Sequence, residues 1–203
     1  MRLESLLISA ASVSLVALNS AQAYGALGHT LTGQVAQRLL TPETEEQVEV
    51  ILSSYDGLLS KAALWADSLK RDDPPDICRF EYVYAGKDII NGLLNMTSQL
   101  QQYAITKPTT LKEKSAREDA LRFFVHFMGD VHQPLHICGK LKGGNNASVL
   151  WGRAKSNLHK VWDGKLILKD VKVRFNNDPK AYLDNIVDMT SGIWKLEASN
   201  WTH

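Results

Sequence analysis

His126 and Asp130 stand four residues apart in the run Phe123-Phe124-Val125-His126-Phe127-Met128-Gly129-Asp130-Val131-His132-Gln133-Pro134-Leu135-His136. On a helix that spacing puts an imidazole and a carboxylate on one face. Leu121, Val125 and Met128 recur at helical spacing beside them and supply an apolar stripe to seat the helix. Pro134 stops the helix, and His136 follows on an irregular segment free to fold back toward the same region. A second His-x-x-x-Asp occurs at His159 and Asp163. Imidazole nitrogen and carboxylate oxygen are ligand types that zinc accepts from protein. An isolated histidine is ordinarily a surface or hydrogen-bonded core residue. Here five of the six histidines lie within or near metal-ligand spacings, and only His203 stands apart. The pattern predicts a polynuclear metal site.

Helices must position these groups. Leu31, Val35 and Leu39 recur every four residues just beyond His29, predicting an amphipathic helix. Thr41-Pro42-Glu43 restarts the chain as a helix, with Thr41 as N-cap, Pro42 at the first helical position and Val48, Ile51 and Leu52 inward. Ser60 is the expected cap of a third helix, which packs Ala63, Leu64 and Ala66 and carries Asp67 near its end. Asp72-Asp73-Pro74-Pro75-Asp76 is a loop, and Phe80 to Tyr84 reads as a short extended piece. Helical periodicity returns from Ile89 to Tyr103 through Ile90, Leu93, Leu94 and Leu100. Lys112 to Val131 is the long central helix. Gly143-Gly144-Asn145-Asn146 is a loop whose glycines allow close approach of backbone to ligand. His159 to Asp163 opens another helical segment, and Asn177-Asp178-Pro179 starts a further one through Tyr182, Leu183, Ile186 and Val187. The expected class is all-α, in one domain.

A length of 203 residues suits such a domain. Its first stretch stands outside the core. Arg2, the apolar run Leu6 to Leu18 and Ala21-Gln22-Ala23 make the pattern of a secretory signal peptide over 1–23, with Tyr24 as the mature N-terminus of a 24–203 domain. No second run is long enough to cross a bilayer, so the expected product is secreted, soluble and not membrane-bound. Export permits disulfides, and Cys78 and Cys138 either pair with each other or lack a partner; sequence does not decide. Asn95, Asn146 and Asn200 each begin an N-glycosylation triplet. Formal net charge is only +1, but nine Lys or Arg between Gly139 and Phe175 face only Asp163 and Asp170. A basic segment around His159 suits phosphate, although a solvated surface has the same composition.

In order along the chain, these pieces resemble the secreted S1/P1 nucleases. The resemblance rests on Phe-x-x-His-Phe-x-Gly-Asp-x-His-Gln-Pro-Leu-His, then Gly-Gly-Asn, then Asn-Leu-His-x-x-Trp-Asp, with Tyr24-Gly25-x-x-Gly28-His29, Leu40-Thr41-Pro42 and Trp65-Ala66-Asp67 upstream. It implies a single-domain helical enzyme, phospholipase C-like in fold, with up to three zinc ions. By matching position, Asp67, His126 and Asp130 would hold one zinc. The amino group and carbonyl of Tyr24, His29 and a bridging Asp130 would hold a second, and His136, His159 and Asp163 a third. His132 receives a supporting place behind the ligands. The implied activity is zinc-dependent endonucleolytic cleavage of single-stranded DNA and RNA by a monomer, with release of 3′-phosphate from nucleotides. Asp130 and a cation at Lys70 would serve catalysis, and Asn145 would touch the substrate.

The chain departs from the family pattern in three places. Tyr24 stands where family members usually begin with Trp. Between Asp67 and Met96 there is no histidine, although the family carries a His-Tyr or His-Phe pair with a nearby Asp there. The chain also stops at His203, where the family continues into further helices. The expectation is therefore an internally deleted and C-terminally shortened member. The alternatives are a catalytically impaired zinc-binding relic, or a phospholipase C-like zinc esterase.

Overall fold

The computed structural model describes residues 25–69, 88–192 and 194–195. Over these residues the chain forms α1 (Ala26–Arg38), α2 (Pro42–Ile51), α3 (Leu59–Ala62), α4 (Trp65–Ser68), α5 (Ile89–Ile105) and α6 (Leu111–Val131). A hairpin of β1 (Ser148–Trp151) and β2 (Ala154–Asn157) follows, then α7 (Leu158–Lys160), α8 (Leu166–Arg174) and α9 (Pro179–Ser191). The class is all-α, as the periodicities predict. The leader over 1–23, Tyr24, Lys70, the loop at Asp72–Asp76, Cys78, the extended piece at Phe80–Tyr84 and Asn200 lie outside the described residues.

Local chemistry explains where the main helices begin. Thr41 Oγ1 accepts from Thr44 N, and Pro42 occupies the first turn of α2. Helix α6 starts with a capping box. Thr110 Oγ1 accepts from Glu113 N at 3.2 Å, and the Glu113 carboxylate accepts from Thr110 N and Thr109 N, each at 2.9 Å.

Helix α6 passes through the middle of the core. On one side Leu121 and Val125 pack with Val48 and Leu52 of the α2 region and with Leu59, Ala62 and Ala63. On the other, Ala120, Phe123 and Phe127 pack with Ala66, Ile89 and Met96. Burying a residue of Leu or Phe size contributes about 1.5–3 kcal/mol, so both flanks of α6 are held firmly. His126, Gly129 and Asp130 continue the buried side of the same helix toward its end. The helix that carries the chemistry is thus the one most completely surrounded.

Four expectations need correction. Ser60 does not cap a helix: α3 begins at Leu59, and Asp67 sits on the separate short helix α4. Leu39 is exposed, because α1 ends at Arg38 and Leu39 is already its C-cap. In α5, Ile90 and Leu94 face solvent, while Ile89 and Met96 are buried. The hairpin is the largest difference. Strands of four residues are too short to show a persuasive alternation, yet Ser148 pairs with Asn157 and Trp151 with Ala154 across a two-residue turn at Gly152-Arg153. Lys169 of α8 lies 5.5 Å over the Trp151 ring and ties the hairpin to the helices.

Candidate metal centre

Asp130 is the hub of the site. Its Oδ1 lies 3.3 Å from His29 Nε2 and 3.0 Å from His136 Nδ1, and its Oδ2 lies 3.1 Å from His126 Nε2. Asp67 faces the same group, 3.9 Å from His29 Nε2 and 3.9 Å from His126 Nε2. A second group adjoins the first. Asp163 lies 3.3 Å from His136 Nε2 and 3.0 Å from His159 Nε2. His136, touching both Asp130 and Asp163, joins the two groups.

Each donor has a local reason for its place. The 130-carboxylate lies one helical turn beyond His126, as the spacing requires. His29 comes from α1, and its ring stacks on His126 with centroids 4.0 Å apart. Gly129 eases that approach, since a Cβ there would stand 3.2 Å from His29 Nδ1 and the ring would have to give by a few tenths of an ångström. Pro134 and the short 3-10 turn Pro134–His136 bring His136 back over the end of α6. His159 lies in α7, and Asp163 lies in a π-helical turn, Val161–Lys165, that joins α7 to α8. Gly25 N donates to the Asp163 carbonyl at 2.7 Å, so the start of α1 is anchored at that turn.

The backbone also sets the histidine tautomers. His126 Nδ1 is 2.8 Å from the Ala63 carbonyl, and His159 Nδ1 is 2.8 Å from the Gly143 carbonyl. A carbonyl only accepts, so each Nδ1 carries a proton and each Nε2 is the ring nitrogen turned toward the carboxylates. This second-contact pattern is typical of metal-ligating histidine.

Electrostatically the two groups suit a cation. Burial alone would raise the Asp130 carboxyl, but hydrogen bonds from His126, His136 and His29 outweigh it and hold it well below the usual carboxylate range. Burial likewise opposes ionisation of Asp163, and His136 and His159 bring it down. Burial would lower His136, yet its bonds to Asp130 and Asp163 prevail and raise it to about 9. Protons here do what a metal ion would do: they neutralise clustered, buried carboxylates.

The donors fit a metal by three observations. One ligand atom from each of His29, Asp67 and His126 lies within 4.8 Å of the others, and the same holds for His136, His159 and Asp163. Donors about 2.0–2.1 Å from a tetrahedral zinc would be about 3.3 Å apart, within the range of the contacts above. Finally, Asp130 Oδ1, His136 Nε2 and Asp163 Oδ2 are shut off from solvent and face the other imidazoles and carboxylates of the two groups.

Gln133 is the residue beside the donors that sequence reasoning missed. Fully buried, it donates from Nε2 to Asp163 Oδ1 at 2.6 Å and accepts from Leu135 N through Oε1 at 2.6 Å. The place assigned to His132 behind the ligands belongs to Gln133 instead. His132 is exposed, and its Nδ1 bonds the Met128 carbonyl one turn back. The only sequence signal for Gln133 was its position inside the His-rich run. Asn145 is exposed and its amide donates to the Lys142 carbonyl at 3.0 Å, within its own loop. Asn95 and Asn146 are both exposed, Asn95 on α5 and Asn146 beside that loop. Cys138 is a partly buried free thiol among the described residues.

Comparison with known proteins places these residues in a family. The S1/P1 Nuclease profile matches residues 24–203. Endonuclease 1 of Arabidopsis thaliana is 32% identical over 212 residues, spanning 93% of this chain and 68% of that protein. Nuclease P1 of Penicillium citrinum is 28% identical over 199 residues, with 88% and 71% covered. Nuclease S1 of Aspergillus oryzae is 28% identical over 215 residues, with 96% and 72% covered.

Proposed function

The chain belongs to the S1/P1 nuclease family, and from that premise we propose that it is a secreted, monomeric, zinc-dependent endonuclease acting on single-stranded DNA and RNA, with 3′-nucleotidase activity beside it. The observation that carries this reading is the convergence of His29, His126 and His136 on the two oxygens of Asp130. In this reading residues 24–203 are the working domain, and 1–23 a leader removed on export.

Up to three zinc ions would be held. Asp67, His126 and Asp130 would serve one, His29 and Asp130 with the Tyr24 main chain a second, and His136, His159 and Asp163 the third. Bound zinc supplies a water of lowered pKa and positive charge against the phosphodiester. The chain's own residues do the rest. Asp130, with two oxygens facing His29, His126 and His136, would contribute to more than one of these positions. The Ala63 and Gly143 carbonyls hold His126 and His159 in the tautomer that leaves Nε2 free to ligate. Gln133 orients Asp163. Lys70 and Asn145 would meet the phosphate in this reading, as a cation and an amide donor respectively.

A second reading has a specific observation behind it. The sequence from Ser68 to Asn95 holds no histidine, so a ligand that the family carries there has no counterpart. The chain would then bind metal without turnover. One experiment separates the two. Metal content is measured by mass spectrometry on the purified protein, with single-strand cleavage assayed in the presence and absence of chelator. Two or three zincs with chelator-sensitive cleavage, abolished in Asp130→Ala, supports the enzyme. About one zinc and no cleavage supports the relic, and full cleavage by Asp130→Ala sinks the assignment of the centre.

A further inference from the structure

Arg117 is a half-buried cation at the edge of the α6 face that packs into the core. It lies four residues before Leu121 and seven before Phe124, in helical line with the part of α6 that packs into the core. Its Nε is shut off from solvent and has no hydrogen-bond partner among the described residues, nor does Arg117 form an ion pair among them. Arg122 on the same helix has a buried Nε without a partner too, but its terminal nitrogens pair with Asp119 and Glu118 and bond Tyr55, and it lies 3.7 Å over the Trp65 ring. The rest of Arg117 is only partly buried, and a guanidinium whose Nε edge is shut off from water without a partner carries a desolvation cost that an anion would offset.

Arg117 opens onto a cleft of about 370 Å³ between α2, the end of α5 and the first half of α6. Lys107 stands at the same cleft, Tyr103 and Gln47 add a phenol and an amide, and Ile51 and Leu100 form part of its apolar lining. Among the described residues no carboxylate lines it. We propose that this cleft is a binding site for a small organic anion with one acidic head, such as a phosphate monoester, on a flat apolar body. The planar guanidinium takes two oxygens of such a head side by side, and Lys107 supplies the second positive charge of a dianion. The volume is at the small end of the range for ligand sites, roughly 300–1,000 Å³. Helix α2 also carries Glu43, Glu45, Glu46 and Glu49, all exposed, and their charge disfavours a long polyanion. Asp130 lies thirteen positions beyond Arg117 on α6, about 20 Å along the helix, so the site is distinct from the metal centre.

Phenylphosphonate, which carries both parts of the ligand and has no ester bond to hydrolyse, is the probe. Equilibrium dialysis against the zinc-loaded protein should find one more binding event than in Arg117→Leu, a substitution that continues the apolar stripe. Lys107→Gln should weaken that event about tenfold, the effect of a loss near 1.4 kcal/mol. Inorganic phosphate and phenol should each bind there at least about tenfold more weakly than the joined probe. Lys107 is exposed, so its variant decides the matter if Arg117→Leu fails to fold. Equal numbers of binding events in wild type and Arg117→Leu, or unchanged affinity in Lys107→Gln, would overturn the proposal.

Discussion

Gln133 uses both halves of its amide, one on Asp163 and one on the backbone that carries His136. It therefore positions two donors of one group at once. Gln133→Leu keeps the volume and removes both bonds. Zinc affinity of the His136, His159 and Asp163 group should fall by about 10–100-fold, as is usual when a contact behind a ligand is lost. Chelator competition reads this directly, and an affinity equal to wild type would show that Asp163 needs no such support. The comparison also explains what was legible at this scale. His126, Asp130, His159 and Asp163 announce themselves because imidazole and carboxylate at four-residue spacing have few other uses. A glutamine has many uses, and its importance comes from a burial that only the fold creates.

At the scale of elements, α1 lies against α3 so closely that a Cβ at Gly33 would stand 2.6 Å from both Ser60 N and Ser60 Cα. Backbone cannot yield as a flexible side chain does. Gly33→Ala should cost about 3 kcal/mol or more, at the upper end of overpacking, and lower the urea midpoint accordingly. A midpoint unchanged from wild type would mean that α3 shifts freely. Because α1 carries His29, metal occupancy of that group should fall in the same variant. The contact also shows why Ser60 misled: a serine before an apolar run is a fair cap signal, but its backbone is already committed to packing under α1.

The cap of α6 is the complementary case, legible as Thr-x-x-Glu in the sequence. Backbone hydrogen bonds from Thr110 and Thr109 pull the Glu113 carboxyl down to about 2, from an ordinary value of 4.5. A depressed carboxylate stabilises the fold above its unfolded value, and that contribution is lost as pH falls through the folded value. The stability advantage of wild type over Glu113→Gln should thus be full above about pH 4.5 and shrink steadily toward pH 2. Urea melts of both proteins across that window test it. A difference that stays constant would remove Glu113 ionisation from the stability of α6.

Over the whole molecule, charge is distributed to suit a polyanion near one group of donors. The segment from Gly139 to Phe175 carries nine cations, and the β1–β2 hairpin within it leads directly into His159. Arg174 is neutralised by Asp170 at 3.0 Å. Arg153, Lys155, Lys160, Lys165 and Lys172 form no ion pair among the described residues, which leaves their charge available. Composition alone could not distinguish this from an ordinary solvated surface, because the distinction depends on where the carboxylates fall: Asp163 is turned into the buried site and leaves the surface cations unopposed. Each phosphate contact to a single strand contributes about 0.7 to the slope of log affinity against log salt. In an Asp130→Ala background that binds without cutting, replacing Arg153 and Lys155 by Gln should reduce that slope by about 1.4 for single-stranded DNA. Affinity at low salt should fall, while the difference from wild type should narrow at high salt, where counterions already compete. Weaker binding with the slope unchanged would point to a packing role for the hairpin. Binding and slope both unchanged would place the strand elsewhere on the surface.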